Sequence, residues 1–392
     1  MPTTDTGTIP EPIALRTIAK EWTRLGCIGF GGPPAHIGLL RRLCVHDHQW
    51  LNEHDFEDAI ATTNLLPGPA STQLAIYCAW RLRGIAGALL GGFCFIVPGL
   101  IMILALSEVF LAKNLPIWLL GLAAGAGAAI PAVALNAALR LVPSSRSRIG
   151  SERTQRLRWI AYAIVGAIAA SVFATLLVFV ILACGFLELS LRRDRRSQPP
   201  RSFSAVPLAV VPPVALGGAG ALTWVALKVG ALSFGGGFVI IPLMQHDAVS
   251  VYHWMSGAQF LSAVALGQLT PGPVVQTVAV VGYAEGGLIG GLLAAAIAFL
   301  PSFAFIIVGA PHFERLRSNV RARAFLIGAG ATVIGAIAGS AVPLGLSLHH
   351  LWQIPILGCA GLWLILAKKS VVGCLLLAAL AGMIVALCGV PS

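Results

Sequence analysis

Asn64-Leu65-Leu66-Pro67-Gly68-Pro69-Ala70-Ser71-Thr72-Gln73 and Gln268-Leu269-Thr270-Pro271-Gly272-Pro273-Val274-Val275-Gln276-Thr277 stand 204 residues apart in a chain of 392. Each places a carboxamide three residues ahead of a Pro-Gly-Pro and a Thr/Gln pair behind it, in swapped order. The same offset carries Phe30-Gly31-Gly32 onto Phe234-Gly235-Gly236, Gly26 onto Gly230, Trp50 onto Trp254 and Phe56 onto Phe260. After a one-residue deletion, Gly84-Ile85-Ala86-Gly87 matches Gly287-Leu288-Ile289-Gly290, and Pro98 matches Pro301. Chance does not hold a register over so many positions, so the chain is a tandem duplication. Its halves are 1–195 and 202–392, joined by a basic, proline-containing linker at 196–201.

Around these elements the chain is 57% hydrophobic and only 10% charged, with 44 Gly and a mean hydropathy of +0.86. A soluble domain carries about a quarter charged residues, so soluble, disordered and coiled-coil classes are excluded. Four apolar stretches follow the Pro-Gly-Pro in each half, at 84–110, 115–141, 158–171 and 172–190, then at 286–310, 323–345, 351–366 and 371–390. The first two of each set can span a hydrocarbon layer of about 30 Å at 1.5 Å per residue. The expected fold is an all-α polytopic membrane protein. The eight Cys are scattered, lack a C-x-x-C pair, and read as small buried hydrophobes. The N-terminal stretch lacks the basic head and apolar core of a cleavable signal peptide.

The net charge of +11 would suggest nucleic acid if the basic residues formed a stripe with interleaved aromatics. They gather instead in short gaps between apolar runs, as cytoplasmic loops do. A nucleic-acid partner is therefore not expected; the partner is the lipid bilayer. In the first half the gap after 110 holds only Lys113, whereas the next holds Arg140, Arg146, Arg148, Arg153, Arg156 and Arg158. In the second half Arg315, Arg317, Arg321 and Arg323 fill the first gap, and the second has only His349 and His350. If basic gaps face the cytoplasm, equivalent segments run in opposite directions, which predicts two helical halves in inverted orientation.

The segments ahead of the long spans are broken at Phe-Gly-Gly and Pro-Gly-Pro. Such breaks persist in a bilayer only where the freed backbone is buried in protein or lines a wet cavity. A helix starting after Pro-Gly-Pro presents orphan N–H groups and the positive end of its dipole, an anion cradle. Candidate binding residues are therefore Gly31, Gly32, Asn64, Pro67, Gly68, Pro69, Ser71, Thr72 and Gln73 in the first half. Gly235, Gly236, Gln268, Pro271, Gly272, Pro273, Gln276 and Thr277 are their counterparts in the second. The alternative is a pair of kinks with satisfied polar neighbours and no ligand. Arg24 and Lys228, each six residues before its Phe-Gly-Gly, are expected counter-charges, unless they snorkel to an interface. His36 joins them as the side chain that titrates near neutrality. His46, Asp47, His48, His54, Asp55, Glu57 and Asp58 read as a solvated loop, and neither a metal site nor a cofactor is expected.

Phe30-Gly31-Gly32-Pro33-Pro34-Ala35-His36-Ile37, Leu66-Pro67-Gly68-Pro69-Ala70-Ser71-Thr72-Gln73-Leu74-Ala75-Ile76-Tyr77, Gly84-Ile85-Ala86-Gly87-Ala88-Leu89 and Phe95-Ile96-Val97-Pro98-Gly99 resemble the chromate ion transporter (CHR) family. Ser233-Phe234-Gly235-Gly236-Gly237 and Leu269-Thr270-Pro271-Gly272-Pro273 extend the resemblance into the second half, giving the long form with two fused homologous domains. It implies export of chromate, a tetrahedral dianion, across a bacterial inner membrane, driven by protons or membrane potential. Sulfate or another oxyanion is the alternative substrate, and a homodimer is a possible assembly. An enzyme is not expected: the chain has no P-loop, no H-E-x-x-H and no G-x-S-x-G.

Overall fold

The computed structural model describes residues 13–64, 66, 68–112, 115–149, 152–192, 218–233, 237–312 and 319–389. The linker at 196–201, and Pro67, Gly235 and Gly236 among the candidate residues, lie outside the described residues. The protein is an all-α polytopic membrane protein, and the described residues contain no strand. Four helical stretches are long and apolar enough to cross a membrane: Ala70–Phe110, Ile117–Arg146, Val274–His312 and Val320–Leu346.

The first half opens with α1 (Leu15–Ile28), a break at Gly29–Gly32, α2 (Pro33–Arg41) running into a π-helical turn (Arg42–Asp47), and α3 (Glu53–Thr63). Asn52 caps α3 by accepting from the Asp55 N–H at 2.7 Å. The second half repeats this with α8 (Ala219–Leu232), α9 (Ile241–Gln245), a π-helical turn (His246–Val251) and α10 (Gly257–Leu269). Here Ser256 and Gln259 form a capping box. The duplication extends to fine detail. Gln49 and His253 both take a left-handed backbone, at φ 51° and 53°. His48 stacks on Trp50 at 4.3 Å, and Tyr252 stacks on Trp254 at 4.7 Å.

The long helices α4 (Ala70–Phe110) and α11 (Thr277–Gly309) are each a tight hairpin of two arms. In α4 the chain turns at Arg83 and Gly84, where Gly84 has φ 58° and ψ −145°. In α11 it turns at Gly286 and Gly287, with φ 60° and ψ −151° at Gly287. Only glycine takes these angles readily. The arms fold back closely: a Cβ at Gly91 would stand 2.5 Å from that of Ala79, and one at Gly87 would overlap the Ala79 carbonyl. Gly282 and Gly290 meet in the same way in α11. The inner arm of α4, 70–82, is about 20 Å long at 1.5 Å per residue, which sets its Pro-Gly-Pro end about that far from the turn at Arg83 and Gly84. α1 runs beside the outer arm, with Gly26 against Phe95. α8 packs on α11 in the same way, with Gly230 against Ala298.

The two outer arms cross at the centre. Gly92 of α4 packs on the ring of Phe303, and Gly291 of α11 packs on Leu104, so the arms run in opposite directions. Outside them α5 (Ile117–Arg146) and α12 (Val320–Leu346) are covered by exchanged hairpins. α6 (Arg153–Val172) and α7 (Leu177–Leu191), from the first half, pack on α12 of the second. α13 (Gln353–Gly361) and α14 (Val371–Leu387), from the second, pack on α5 of the first. Small residues permit backbone contact at both seams. Gly335 and Gly339 sit against the Ala163 and Ala167 carbonyls, and Gly125 sits against the carbonyl of Ala378. Ser171 Oγ donates to Gly339 O at 2.9 Å across the first seam.

Most of the described carboxylates are committed to ion pairs. Arg41 holds Glu53 at 3.0 Å and also Glu57, and Arg81 holds Asp55 at 3.2 Å. His54 faces Asp58 at 3.6 Å. No group of three potential metal ligands occurs among the described residues. Glu188, only 1% exposed, is held by Arg192 at 2.5 Å, Arg158 at 3.4 Å and the Tyr162 hydroxyl at 3.2 Å. That cluster ties the base of the exchanged α6–α7 hairpin.

The close seams give a first expectation. Gly335→Leu forces a side chain into the Ala163 carbonyl, which belongs to a helix backbone and cannot yield. It should cost about 1–3 kcal/mol or more and lower the melting temperature in detergent. Gly345→Ala, with nothing within 4 Å of the added carbon, should leave melting unchanged.

Candidate functional site

The helix breaks converge. The Gly272 N–H, inside the second Pro-Gly-Pro, donates to Gly29 O at 2.9 Å, just ahead of Gly31-Gly32 in the other half. Gln276 Nε2 donates to Ile96 O at 2.8 Å, and the Pro271 carbonyl lies against Gly99. The reciprocal contact places Gly68 beside Ser302, which stands where Gly99 does in the first half. Gly68 and Gly272 have φ of 123° and 105°, which L side chains rarely adopt. Pro69 starts α4, its carbonyl accepting from Thr72 N at 2.9 Å and Gln73 N at 3.0 Å. Pro273 starts the 3-10 turn Val274–Gln276 in the same manner, accepting from Gln276 N at 2.9 Å.

A cavity of about 340 Å³ opens at this junction. Gly31, Gly32 and Asn64 line it from the first half's breaks, Ala70 from the first turn of α4, and Phe238 and Gln268 from the second half. Its far wall is the C-terminal part of α5, which contributes Asn136, Arg140, Ser144 and Ser145, with Arg148 from the turn that follows, opposite residues of α12 between Leu326 and Ile334. Among the described residues no carboxylate lines it. The Gln268 side chain, 6% exposed, has an Nε2 with no hydrogen-bond partner among the described residues. A buried donor left so costs about 1–3 kcal/mol; a ligand acceptor would remove that cost. Arg140 Nε donates to the Asn136 carboxamide oxygen at 3.3 Å, which leaves its other N–H groups available. The Arg148 guanidinium is held below its ordinary pKa, first by loss of surrounding water and then by Arg323, and stays charged.

The remaining candidates form the shell behind the cavity. His36, 1% exposed, joins Ser71 Oγ at 3.1 Å and Gly29 O at 2.8 Å, so the imidazole ties α2 to α4 and to the break. Thr277 Oγ1 donates to Val274 O at 2.8 Å and secures the turn after Pro273. Thr72 is fully buried, and its Oγ1 has no partner among the described residues, as is true of Ser302 Oγ. Gln73 lies with its amide nitrogen beside Gly68. At the N-terminus of α2 the first two positions are Pro33 and Pro34, which have no N–H to offer. The usable helix start at the cavity is therefore that of α4.

None of the three expected counter-charges, Arg24, Lys228 and His36, lines the cavity. The Arg24 side chain is 66% exposed, 3.5 Å from Glu21, on the outer face of α1. Lys228 is paired with Asp247 at 2.5 Å and lies over the Trp224 ring at 5.7 Å, which neutralises it within the second half. Among the described residues the cations at the cavity are Arg140 and Arg148. The sequence reading counts both in the basic gap after the second apolar stretch; the helix in fact continues through Pro143 to Arg146, so Arg140 is helical and Arg148 lies in the turn that follows.

Residues 16–189 and 220–385 each match the pattern of the chromate transporter family. The chain belongs to the chromate transporter family. It is 34% identical over 341 residues to a chromate transport protein of Cupriavidus metallidurans, covering 84% of this chain and 82% of that one. To a probable chromate transport protein of Synechococcus elongatus it is 30% identical over 387 residues, 95% of each chain. To a chromate transport protein of Pseudomonas aeruginosa it is 31% identical over 407 aligned positions, covering 97% and 94%. No solved structure is significantly similar to it. The two matched regions of this chromate transporter homologue are the long form with two fused domains.

Gly68→Leu and Gly272→Leu each demand a positive φ of a branched side chain and crowd the adjacent Gln73 or Gln276 amide. Each should abolish transport while the protein still inserts in the membrane, checked by flux alongside quantitation of membrane-inserted protein.

Proposed function

We propose that the protein is a secondary transporter that exports chromate from the cytoplasm of a bacterial cell across its inner membrane. The observation that carries this is the cavity at the junction of the breaks. Two guanidinium groups, three carboxamides and a helix N-terminus line it, and among the described residues no carboxylate does. Such a wall suits a tetrahedral dianion and repels nothing about it. The names of the relatives supply chromate as the species. Sulfate shares its shape and charge, so it competes for the same wall.

Direction and drive follow from the same features. Arg140 and Arg148 lie at the arginine-rich end of α5, which the positive-inside rule assigns to the cytoplasm. Read this way, the cavity loads from the cytoplasm. Moving a dianion out of a cell that is negative inside releases about 2.3 kcal/mol per charge per 100 mV, so export needs few coupled protons or none. The opposed outer arms of α4 and α11 support an inverted repeat, because equivalent helices that cross antiparallel are related by an axis lying in the membrane plane. Rocking about that junction gives alternating access.

The assay is uptake of radiolabelled chromate into inside-out vesicles, with and without a protonophore and with sulfate or molybdate as competitor. Uptake above that of empty vesicles is expected; its absence overturns the assignment. Arg140→Gln and Gln268→Leu should each raise the KM for chromate about 10- to 100-fold, the loss of one hydrogen bond to a charged group. Melting temperature should not move in either variant.

A further inference from the structure

A second cavity, about 720 Å³, lies at the opposite end of α5, between its first turns, the start of α10 and the end of α12. Its polar lining is Gln259, Ser262, Ser347, His349, His350 and Gln353, and among the described residues again no carboxylate lines it. Gln353 shapes this wall, accepting from the backbone N–H of His349 at 3.0 Å and of His350 at 3.1 Å while its Nε2 donates to Ala124 O at 3.0 Å. The imidazoles project from a segment that is fixed by those bonds.

The same two helices reach both cavities. On α5, Gly127 borders the second cavity and Val133 the first; on α10, Ser262 borders the second and Gln268 the first. Each interval is six residues, about 9 Å of helix at 1.5 Å per residue. Within it, Ala128 to Ala132 of α5 and Ala263 to Gly267 of α10 are buried and carry no polar side chain. α5 and α10 are in close contact at the rim, where a Cβ on Gly127 would stand 3.1 Å from that of Leu261. Pro131 lies in the middle of the α5 interval. Its ring removes the hydrogen bond to the carbonyl four residues earlier and loosens the helix there.

We propose that the second cavity is the far-side vestibule of the oxyanion path, and that this thin apolar septum, hinged at Pro131, is the gate between the two. The inference rests on the functional reading above and adds the exit and the barrier. A dry septum holds back a dianion, because stripping an ion of water costs several kcal/mol or more. A gap that opens by bending α5 needs to part only about two helical turns. Among the described residues neither vestibule carries a negative side chain, so the described walls oppose an anion with no like charge.

The test starts from a protein whose exposed Cys27, Cys359 and Cys388 are replaced by Ala and which still carries chromate. Ser144→Cys probes the first cavity and Ser262→Cys the second, each labelled in sealed vesicles of known orientation with a bulky, membrane-impermeant maleimide. Labelling of Ser144→Cys from the cytoplasmic side only and of Ser262→Cys from the opposite side only is expected. The adduct at Ser262→Cys should lower chromate flux at least tenfold. Labelling of both from one side, or full labelling at Ser262→Cys with unchanged flux, overturns the proposal. Ala258→Cys, on the same wall, gives the same readout if Ser262→Cys does not fold. Absence of chromate flux in the unlabelled parent would instead overturn the functional reading, so the two failures are distinct.

Discussion

In hydrocarbon an unpaired backbone amide has no water to turn to, and this constraint organises the whole molecule. An interruption of helix buried in a bilayer is untenable unless something else satisfies it. Here the second half's Pro-Gly-Pro region is satisfied by the first half. The amide of Gly272 finds the carbonyl of Gly29, and Gln276 reaches the carbonyl of Ile96. The duplicated halves are thus bound to each other by the very groups that the breaks set free, and the polar surplus that pairing leaves over, such as Gln268 Nε2, faces the cavity.

Glycine and proline act in two distinct ways in this architecture. At Gly84, Gly287, Gly68 and Gly272 a positive φ is required, and the residue sets the path of the chain. At Gly335, Gly339 and Gly125 the backbone is ordinary helix, and the missing side chain lets a second helix approach. The first kind shapes the site and the second holds the scaffold around it. That division explains why a chain with 44 glycines is nonetheless tightly packed.

The class of fold was legible because apolar length and a fixed repeat are properties of linear sequence. The breaks were legible because Gly and Pro announce themselves. The hairpin form of α4 and α11 was less so: the apolar stretches were read as beginning at 84 and 286, beside the turns, but only contacts such as that of Gly91 with Ala79 expose the reversal. The cations of the cavity were hidden by a reading that was correct in its own terms. Arginines that obey a topological rule are counted as loop residues, and nothing in the count tells that Arg140 lies nearly two turns inside α5 and bonds Asn136. Lys228 posed the opposite difficulty. Its burial was evident, but its partner Asp247 comes from a separate element nineteen residues away.

The exchanged hairpins carry a consequence for how the transporter moves. Since α6 and α7 clasp α12, while α13 and α14 clasp α5, any unit that shifts as one piece is a mosaic drawn from both copies of the ancestral gene. The line along which the molecule flexes therefore cannot coincide with the line along which it was duplicated, and fusion of the two copies into one polypeptide guarantees each wall its foreign buttress in a one-to-one ratio.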